Sequence, residues 1–174
     1  MFGAALEELG VVRQRLVREM RDVYRGHKPR IALADDARQY LEDTEGVVPM
    51  AAVTDGPIES QRAKVDALGL DRWFRPIVLT EEMGPDHRKP SPLAFSAVAA
   101  QFPGRADRFA YVADNPAKDF AGPASLGWLT YRVRRPRSLH ASLESGPAVA
   151  CEIESLLELP EAIDASSASH RCHP

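Results

Sequence analysis

Residues 50–69 read MAAVTDGPIESQRAKVDALG, an apolar run followed by a polar turn and then by apolar residues at helical spacing. Proline is favoured in the first turn of a helix, and Pro57 stands where this second pattern begins. Glycine commonly follows the last helical residue, and Gly69 stands where the pattern ends. The stretch therefore predicts a strand that ends near Thr54, a tight turn, and a helix.

The same unit recurs along the chain. Short apolar runs typical of strands lie at 76–79, 109–112 and 128–133. Helical spacing is found at 4–24, after Asp36, at 91–98, after Asp114 and at 148–157. Strands that alternate with helices are typical of a parallel sheet covered by helices. The expected fold is therefore α/β.

The bulk properties narrow the choice of partner and compartment. The chain has 174 residues, of which 44% are hydrophobic and 27% charged, and this suits one soluble domain. A net charge of -3 argues against nucleic acid and anionic membranes as partners. Glu7 and Glu8 interrupt the first apolar residues, so that these residues do not resemble the apolar part of a secretory signal peptide. The two cysteines, Cys151 and Cys172, do not suggest a disulfide framework. We therefore expect a cytoplasmic protein.

A first polar loop follows the strand at 50–53. Ligands of open parallel sheets bind where strands end and helices begin, because free backbone N–H groups face an anion there. The hydroxyl of Thr54 and the N–H groups of Asp55 and Gly56 are therefore candidates to hold a phosphate oxygen. Taken alone, this triplet is also a common turn sequence.

A second polar loop contains Lys89, which Pro90 holds in an extended backbone just before a helix. A lysine fixed there can neutralise phosphoryl charge, although most lysines are solvated surface residues.

A third polar loop follows the strand at 109–112 and carries Asp114, Asn115 and Asp119. Two carboxylates and an amide supply the oxygen ligands that Mg²⁺ prefers. The same residues are also suited to capping a helix. Each of the three loops is ambiguous alone, and their order along the chain carries the argument.

In this order the three loops resemble the second, third and fourth motifs of the haloacid dehalogenase-like (HAD) superfamily. The resemblance runs from about residue 2 to 159 and includes VTDG at 53–56, KPSPLAF at 89–95 and DNPAKDF at 114–120. It implies a Rossmannoid three-layer α/β/α fold and a phosphatase that uses Mg²⁺ and an aspartyl-phosphate. The substrate would be a small phosphorylated metabolite.

The resemblance also implies roles for named residues. Thr54 and Lys89 would be catalytic. Phosphate would be bound by Thr54, Asp55, Gly56 and Lys89. Mg²⁺ would be held by Asp114, Asn115 and Asp119.

The family's first motif, Asp-x-Asp-x-Thr, which supplies the nucleophile, is missing from this sequence. The nearest candidate upstream of Thr54 is IALADDA at 31–37, but Ala37 lies two residues after Asp35 and Arg38 two after Asp36. A structural role is therefore expected for these two acids. The implied enzyme would be truncated or would depend on a partner for its nucleophile; the alternative is a non-catalytic phosphate-binding or scaffold protein.

The same reasoning predicts three regions and a gap. Residues 1–30 would be the remnant of a helical cap, 31–160 the α/β core, and 161–174 a disordered tail. In the family, the missing strand separates the strand ending at Thr54 from the one ending at Asp114. We expect these two strands to pair directly, or another segment to enter between them. That segment would be residues 31–34 or a strand of another chain. A strand of another chain would make the protein a homo-oligomer or part of a complex.

Overall fold

The computed structural model describes residues 14–102 and 109–170 of the chain. Within these ranges the first four strands alternate with helices, as the sequence predicts, and a fifth strand follows the fourth with no helix between them. The strands are β1 (Met50–Thr54), β2 (Phe74–Leu79), β3 (Ala110–Ala113), β4 (Leu129–Val133) and β5 (Cys151–Ile153). The α-helices are α1 (Gln14–Gly26), α2 (Asp35–Asp43), α3 (Ile58–Leu68), α4 (Thr80–Met83), α5 (Leu93–Ala99), α6 (Ala121–Ser125) and α7 (Leu159–His170). Short 3-10 turns lie at Leu70–Arg72, Pro85–His87 and Leu156–Glu158.

The unit formed by β1 and α3 has the bounds that its sequence predicts. Pro57 caps α3, and Gly69 ends it with φ of 61°, a left-handed conformation that glycine adopts without steric cost.

None of the described helices has the length and apolarity needed to cross a membrane.

The strands form two separate parallel sheets. β1 pairs with β2, with Val53 opposite Val78, and β4 lies between β3 and β5. The predicted direct pairing of β1 with β3 is therefore wrong. The predicted entry of residues 31–34 is also wrong, because these residues form no strand. Entry of a strand from another chain stays a prediction.

One hydrophobic cluster holds the two sheets together on one face. Its buried members are Phe95 and Val98 of α5 with Trp128, and they pack against Val53 of β1 and Tyr111 of β3. The rings of Phe95 and Tyr111 meet edge to face with centroids 4.9 Å apart. A single short helix therefore spans the gap between β1 and β3.

The other face is covered by α2 and α7. Tyr131 and Val133 of β4 are buried with Ile153 of β5 and Leu159 of α7, and Tyr40 of α2 packs against them. Helices on both faces of the strands give the predicted three-layer α/β/α architecture.

The C-terminal region differs from the sequence predictions. The helix expected at 148–157 is wrong, because Cys151 and Ile153 alternate toward one face and pair with Tyr131 and Val133 as strand β5. The tail expected to be disordered from 161 is helical as far as His170. Its first turns are ordered because Leu159, with Ala162 and Ile163, packs on the sheet.

Other boundaries remain predictions. Residues 171–174 and residues 4–13 of the predicted first helix lie outside the described ranges. The division between a cap remnant and a core at residue 30 stays a prediction.

Candidate functional site

The three predicted loops meet where β1 and β3 end, around the side chain of Lys89. Its Nζ lies 2.8 Å from Oδ1 of Asp119, 3.5 Å from the carbonyl oxygen of Val53 and 3.4 Å from the hydroxyl of Tyr111. The side chains of Lys89 and Asp119 are only 9% and 5% exposed. The ammonium group therefore lies in the gap between the two sheets and contacts residues on both sides of it.

The backbone around Lys89 is held by local contacts. The 3-10 turn Pro85–His87 precedes it, and the N–H of Ser91 donates to the carbonyl of Arg88 at 3.0 Å. The N–H of Lys89 itself donates to Oδ1 of Asp55 at 3.3 Å. These bonds fix the position from which the lysine side chain reaches the gap.

Asp55 connects the loops rather than facing an open site. Its Oδ1 accepts a hydrogen bond from the hydroxyl of Thr80 at 2.7 Å. Its Oδ2 lies 3.4 Å from Nζ of Lys118. The carboxylate of Asp55 would repel a phosphate. If Asp55 contributes to phosphate binding as predicted, it therefore does so through its backbone N–H.

Thr54 already has a partner for its hydroxyl proton. Oγ1 of Thr54 donates to Oε1 of Gln61 in α3, over 2.8 Å. Gly56, which completes this loop, has φ of 132°, a conformation that side chains rarely adopt. The loop is therefore closely covered by the side chain of Gln61.

The acidic loop after β3 is held by its own hydrogen bonds. Oδ2 of Asp119 accepts from the N–H of Asn115 at 3.2 Å, and Oδ1 of Asn115 accepts from the N–H of Ala117 at 3.0 Å. The side-chain oxygen of Asn115 thus stabilises the turn, so that metal binding would require it to leave that bond. Asp114 is exposed at the end of the strand.

One carboxylate oxygen in this loop is buried without a hydrogen bond. Oδ1 of Asp119 has the ammonium of Lys89 beside it, but not in hydrogen-bonding alignment. A buried acceptor of this kind is costly unless a cation compensates it. Lys89 supplies that cation in the structure, and a metal ion bound at this oxygen would compensate it in the same way.

The donor set fits Mg²⁺ in part. Within the described ranges, no three His, Cys, Asp or Glu side chains are grouped closely enough to hold a metal by themselves. Mg²⁺, however, is usually bound through one or two carboxylates and keeps several waters. Asp114 and Asp119 supply two such carboxylates on one loop.

Tyr111 is a member of the site that the sequence did not indicate. Burial raises the pKa of its hydroxyl well above the ordinary value, and the negative charges of Asp119, Asp55 and Asp114 raise it further. The hydroxyl therefore stays protonated beside Lys89. In the sequence Tyr111 is only one of several apolar residues in a predicted strand. The sequence did not indicate Gln61 either, because it is one of several polar residues in the predicted helix.

The chain is similar in sequence to known hydrolases and phosphatases. Residues 3–127 match the family model of haloacid dehalogenase-like hydrolases. The phosphoserine phosphatase of Thermus thermophilus is 31% identical over 147 residues, which are 82% of this chain and 57% of that protein. The glyceraldehyde 3-phosphate phosphatase of Methanopyrus kandleri is 30% identical over 116 residues, 60% of this chain and 49% of that protein. The chain thus spans about half the length of the curated relatives it matches.

Solved structures share the fold. The magnesium-bound HAD-hydrolase YfnB of Bacillus subtilis superposes with a TM-score of 0.75 at 22% identity, covering 94% of this chain and 69% of that one. The L-2-haloacid dehalogenase of Xanthobacter autotrophicus gives a TM-score of 0.66 at 20% identity, covering 93% and 72%.

Proposed function

Because this chain belongs to the haloacid dehalogenase-like hydrolases, we propose that it provides the phosphate- and metal-binding part of a phosphomonoester hydrolase. The observation that carries the proposal is the buried ammonium of Lys89, 2.8 Å from Asp119 at the ends of β1 and β3. A buried positive charge at the edge of a parallel sheet is suited to bind an anionic group that enters from solvent.

Each loop has a part in the proposed site. The Thr54 hydroxyl and the N–H groups of Asp55 and Gly56 hold phosphoryl oxygens, and Lys89 neutralises their charge. Asp114 and Asp119 are the residues that would hold Mg²⁺. When bound, this ion polarises the phosphoryl group and stabilises the charge that develops on it.

The nucleophilic carboxylate is the part that the described residues do not place beside Lys89. We propose that it comes from a strand in the gap between β1 and β3, which is supplied either by a segment of the protein outside the described residues or by another chain, a second copy or a partner protein. Both flanking strands are only partly buried, in contrast to β4, which is buried along most of its length. Partly buried strand edges of this kind favour the addition of a further strand.

The proposed substrate is a small phosphorylated metabolite. Two curated relatives are named as phosphatases of glyceraldehyde 3-phosphate and of phosphoserine. Both names describe small phosphomonoesters, and this supports the substrate class.

A second candidate is a phosphate-binding protein that does not turn its ligand over. It is favoured by the described contacts of the Lys89 ammonium, which are with Asp119 Oδ1, the backbone carbonyl of Val53 and the Tyr111 hydroxyl. Asp119 is bound within its own loop and, as a candidate metal ligand, is a poor nucleophile. The two candidates share the binding site and differ in turnover.

The binding site is tested by calorimetric titration with Mg²⁺ and with inorganic phosphate. We expect Lys89→Ala to weaken phosphate binding by about tenfold or more, since a hydrogen bond to a charged group contributes about 1.5–3 kcal/mol. Asp114→Ala should weaken Mg²⁺ binding. The exposed residues Lys28 and Asp66 provide matched controls, Lys28→Ala and Asp66→Ala, which should bind like wild type. Identical binding by all five proteins would refute the proposal.

The need for an outside nucleophile is tested by activity. The purified chain alone should show no Mg²⁺-dependent release of p-nitrophenol from p-nitrophenyl phosphate. Turnover that Asp114→Ala abolishes would show that the chain carries its own nucleophile. Turnover that appears only when a strand-donating partner is added would separate the hydrolase from the non-catalytic alternative.

A further inference from the structure

Gln61 is a buried polar residue that none of the roles above includes. It lies in the first turn and a half of α3, and its side chain is almost fully buried, with the whole residue only 8% exposed. Its Oε1 accepts the hydroxyl proton of Thr54 at 2.8 Å. Buried amides need hydrogen-bond partners, and this one has taken the donor that the proposed phosphate site also requires.

The amide of Gln61 lies directly over the turn at Gly56. A Cβ atom built on Gly56 would stand 2.6 Å from Nε2 of Gln61, closer than real side chains approach. The absence of a side chain at residue 56 therefore leaves room for the amide. Both polar atoms of Gln61 thus lie against the loop from which Thr54 and the neighbouring N–H groups would bind an anion.

The hydrogen-bond inventory of Thr54 makes this contact important. A threonine hydroxyl has one proton and two acceptor lone pairs, whereas the oxygens of a phosphate dianion only accept. While the proton is donated to Oε1 of Gln61, Thr54 presents only lone pairs to an incoming anion. Rotation of the amide by half a turn would place Nε2 as a donor to Oγ1 and release the Thr54 proton.

We propose that Gln61 is a positioning residue that sets the direction of the Thr54 hydroxyl. Without an anion, the Gln61 carbonyl accepts the Thr54 proton, as in the structure. With an anion bound, the Gln61 amide donates to Thr54 Oγ1, and Thr54 donates to the anion. This inference rests on the proposed phosphate site and adds the residue that prepares it.

The test is sulfate binding followed by NMR, because sulfate stays a dianion across the neutral pH range. Sulfate should shift the side-chain NH₂ resonances of Gln61, and Thr54→Val should abolish that shift. Gln61→Leu removes one hydrogen bond to Thr54 from the free protein and one from the bound protein. Only the bound one belongs to a chain of hydrogen bonds that ends on the charged anion and is strengthened by it, so the substitution should weaken sulfate binding severalfold. In a Thr54→Val background the same substitution should have no further effect. Gln39→Leu, a change at an exposed residue of α2, is the matched control and should bind like wild type.

The other outcomes are distinguishable. If Gln61→Leu tightens sulfate binding, Gln61 only competes with the anion and the positioning role is wrong. Equal effects of Gln61→Leu in wild type and in the Thr54→Val background, or resonances that do not shift, would indicate a purely structural role. Lys89→Ala separates the two proposals. If sulfate binding does not depend on Lys89, the phosphate site and the role of Gln61 both fail. If binding depends on Lys89 but not on Gln61, only the role of Gln61 fails.

Discussion

Asp36 and Arg135, 99 residues apart in the chain, form a two-point ion pair in which Nε and Nη2 of the arginine lie 3.2 and 2.8 Å from Oδ2 of the aspartate. The same oxygen accepts a hydrogen bond from the N–H of Leu156 at 2.9 Å. One carboxylate therefore connects α2, the loop after β4 and the turn that precedes α7. The structural role that the sequence predicts for Asp36 is confirmed.

The first prediction concerns the stability that this carboxylate provides. Asp36→Asn keeps the shape of the side chain but removes the charge that Arg135 pairs with. Hydrogen bonds to charged groups contribute about 1.5–3 kcal/mol, and the free energy of unfolding in urea should fall by a similar amount. Asp35→Asn is the matched control, because the Asp35 side chain is exposed and pairs only with Arg38 among its described ionic contacts. It should change the free energy by less than about 0.5 kcal/mol. Equal losses in the two variants would contradict the prediction.

The second prediction is the pH dependence of this contribution. Burial raises the pKa of Asp36, but the hydrogen bonds from Arg135 and from the N–H of Leu156, with the attraction of Arg135, outweigh it and lower the pKa below 3.8. A lowered pKa means that the contribution is fully present above pH 3.8 and is lost as the pH falls through the folded-state pKa. The difference in unfolding free energy between wild type and Asp36→Asn should therefore be constant near neutral pH and shrink below pH 3.8. A difference that does not change with pH would show that charge is not the cause.

Local features of the sequence were sufficient to predict the first half of the fold. Pro57 and Gly69 mark the ends of α3 by their own backbone preferences, and β1 before them is continuous and apolar. β5 has only three residues, Cys151–Ile153, and becomes a strand through its pairing with β4. Such a pairing depends on distant residues, and for this reason the local pattern indicated a helix instead.

In the site, too, the residues that the sequence indicated lie in recognisable local patterns, whereas the others reach the site through contacts with distant residues. The loops of Thr54, Lys89 and Asp119 were candidates because ligands of parallel sheets bind where strands end and helices begin, and the resemblance to the HAD family implied the role of each residue. The structure brings Lys89 to Asp119. The hydroxyl of Tyr111 and the amide of Gln61 reach this edge through tertiary packing. Direct pairing of β1 with β3 was one of the predicted ways in which the gap is closed or filled; in the structure the Lys89 side chain contacts residues on both sides of the gap instead.

The third prediction separates the two charges of the site. Lys89→Met keeps most of the length of the side chain and removes the ammonium that lies 2.8 Å from Asp119. Phosphate binding should weaken, because its positive partner is lost. Mg²⁺ binding should strengthen severalfold, because the carboxylate of Asp119 loses a competing cation and repulsion between the two cations disappears.

Calorimetry with each ligand separately measures both changes. Lys118→Met is the control, because Lys118 is partly exposed and pairs with Asp55 across 3.4 Å rather than with the metal ligands. It should change both affinities less than Lys89→Met does. Weaker Mg²⁺ binding in Lys89→Met would mean that Asp119 does not take part in the metal site.

The last prediction concerns Gly122, which lies in α6 directly behind the loop that carries Lys89. A Cβ atom at this position would stand 2.8 Å from the carbonyl oxygen of Pro90, 2.9 Å from that of Ser91 and 3.0 Å from the ring of Phe95. Two of these atoms belong to the backbone and cannot turn away as a flexible side chain can. Gly122→Ala must therefore push the loop, and with it Lys89, away from α6. Overpacking of this kind costs about 1–3 kcal/mol, and the free energy of unfolding should fall by that amount. Phosphate affinity should fall with it, since Lys89 is displaced from the gap.

Gly146→Ala is the matched control, because a Cβ at Gly146 meets nothing within 4 Å. If urea unfolding and phosphate titration give the same values for the two variants, the close packing of α6 against the Lys89 loop does not position the lysine.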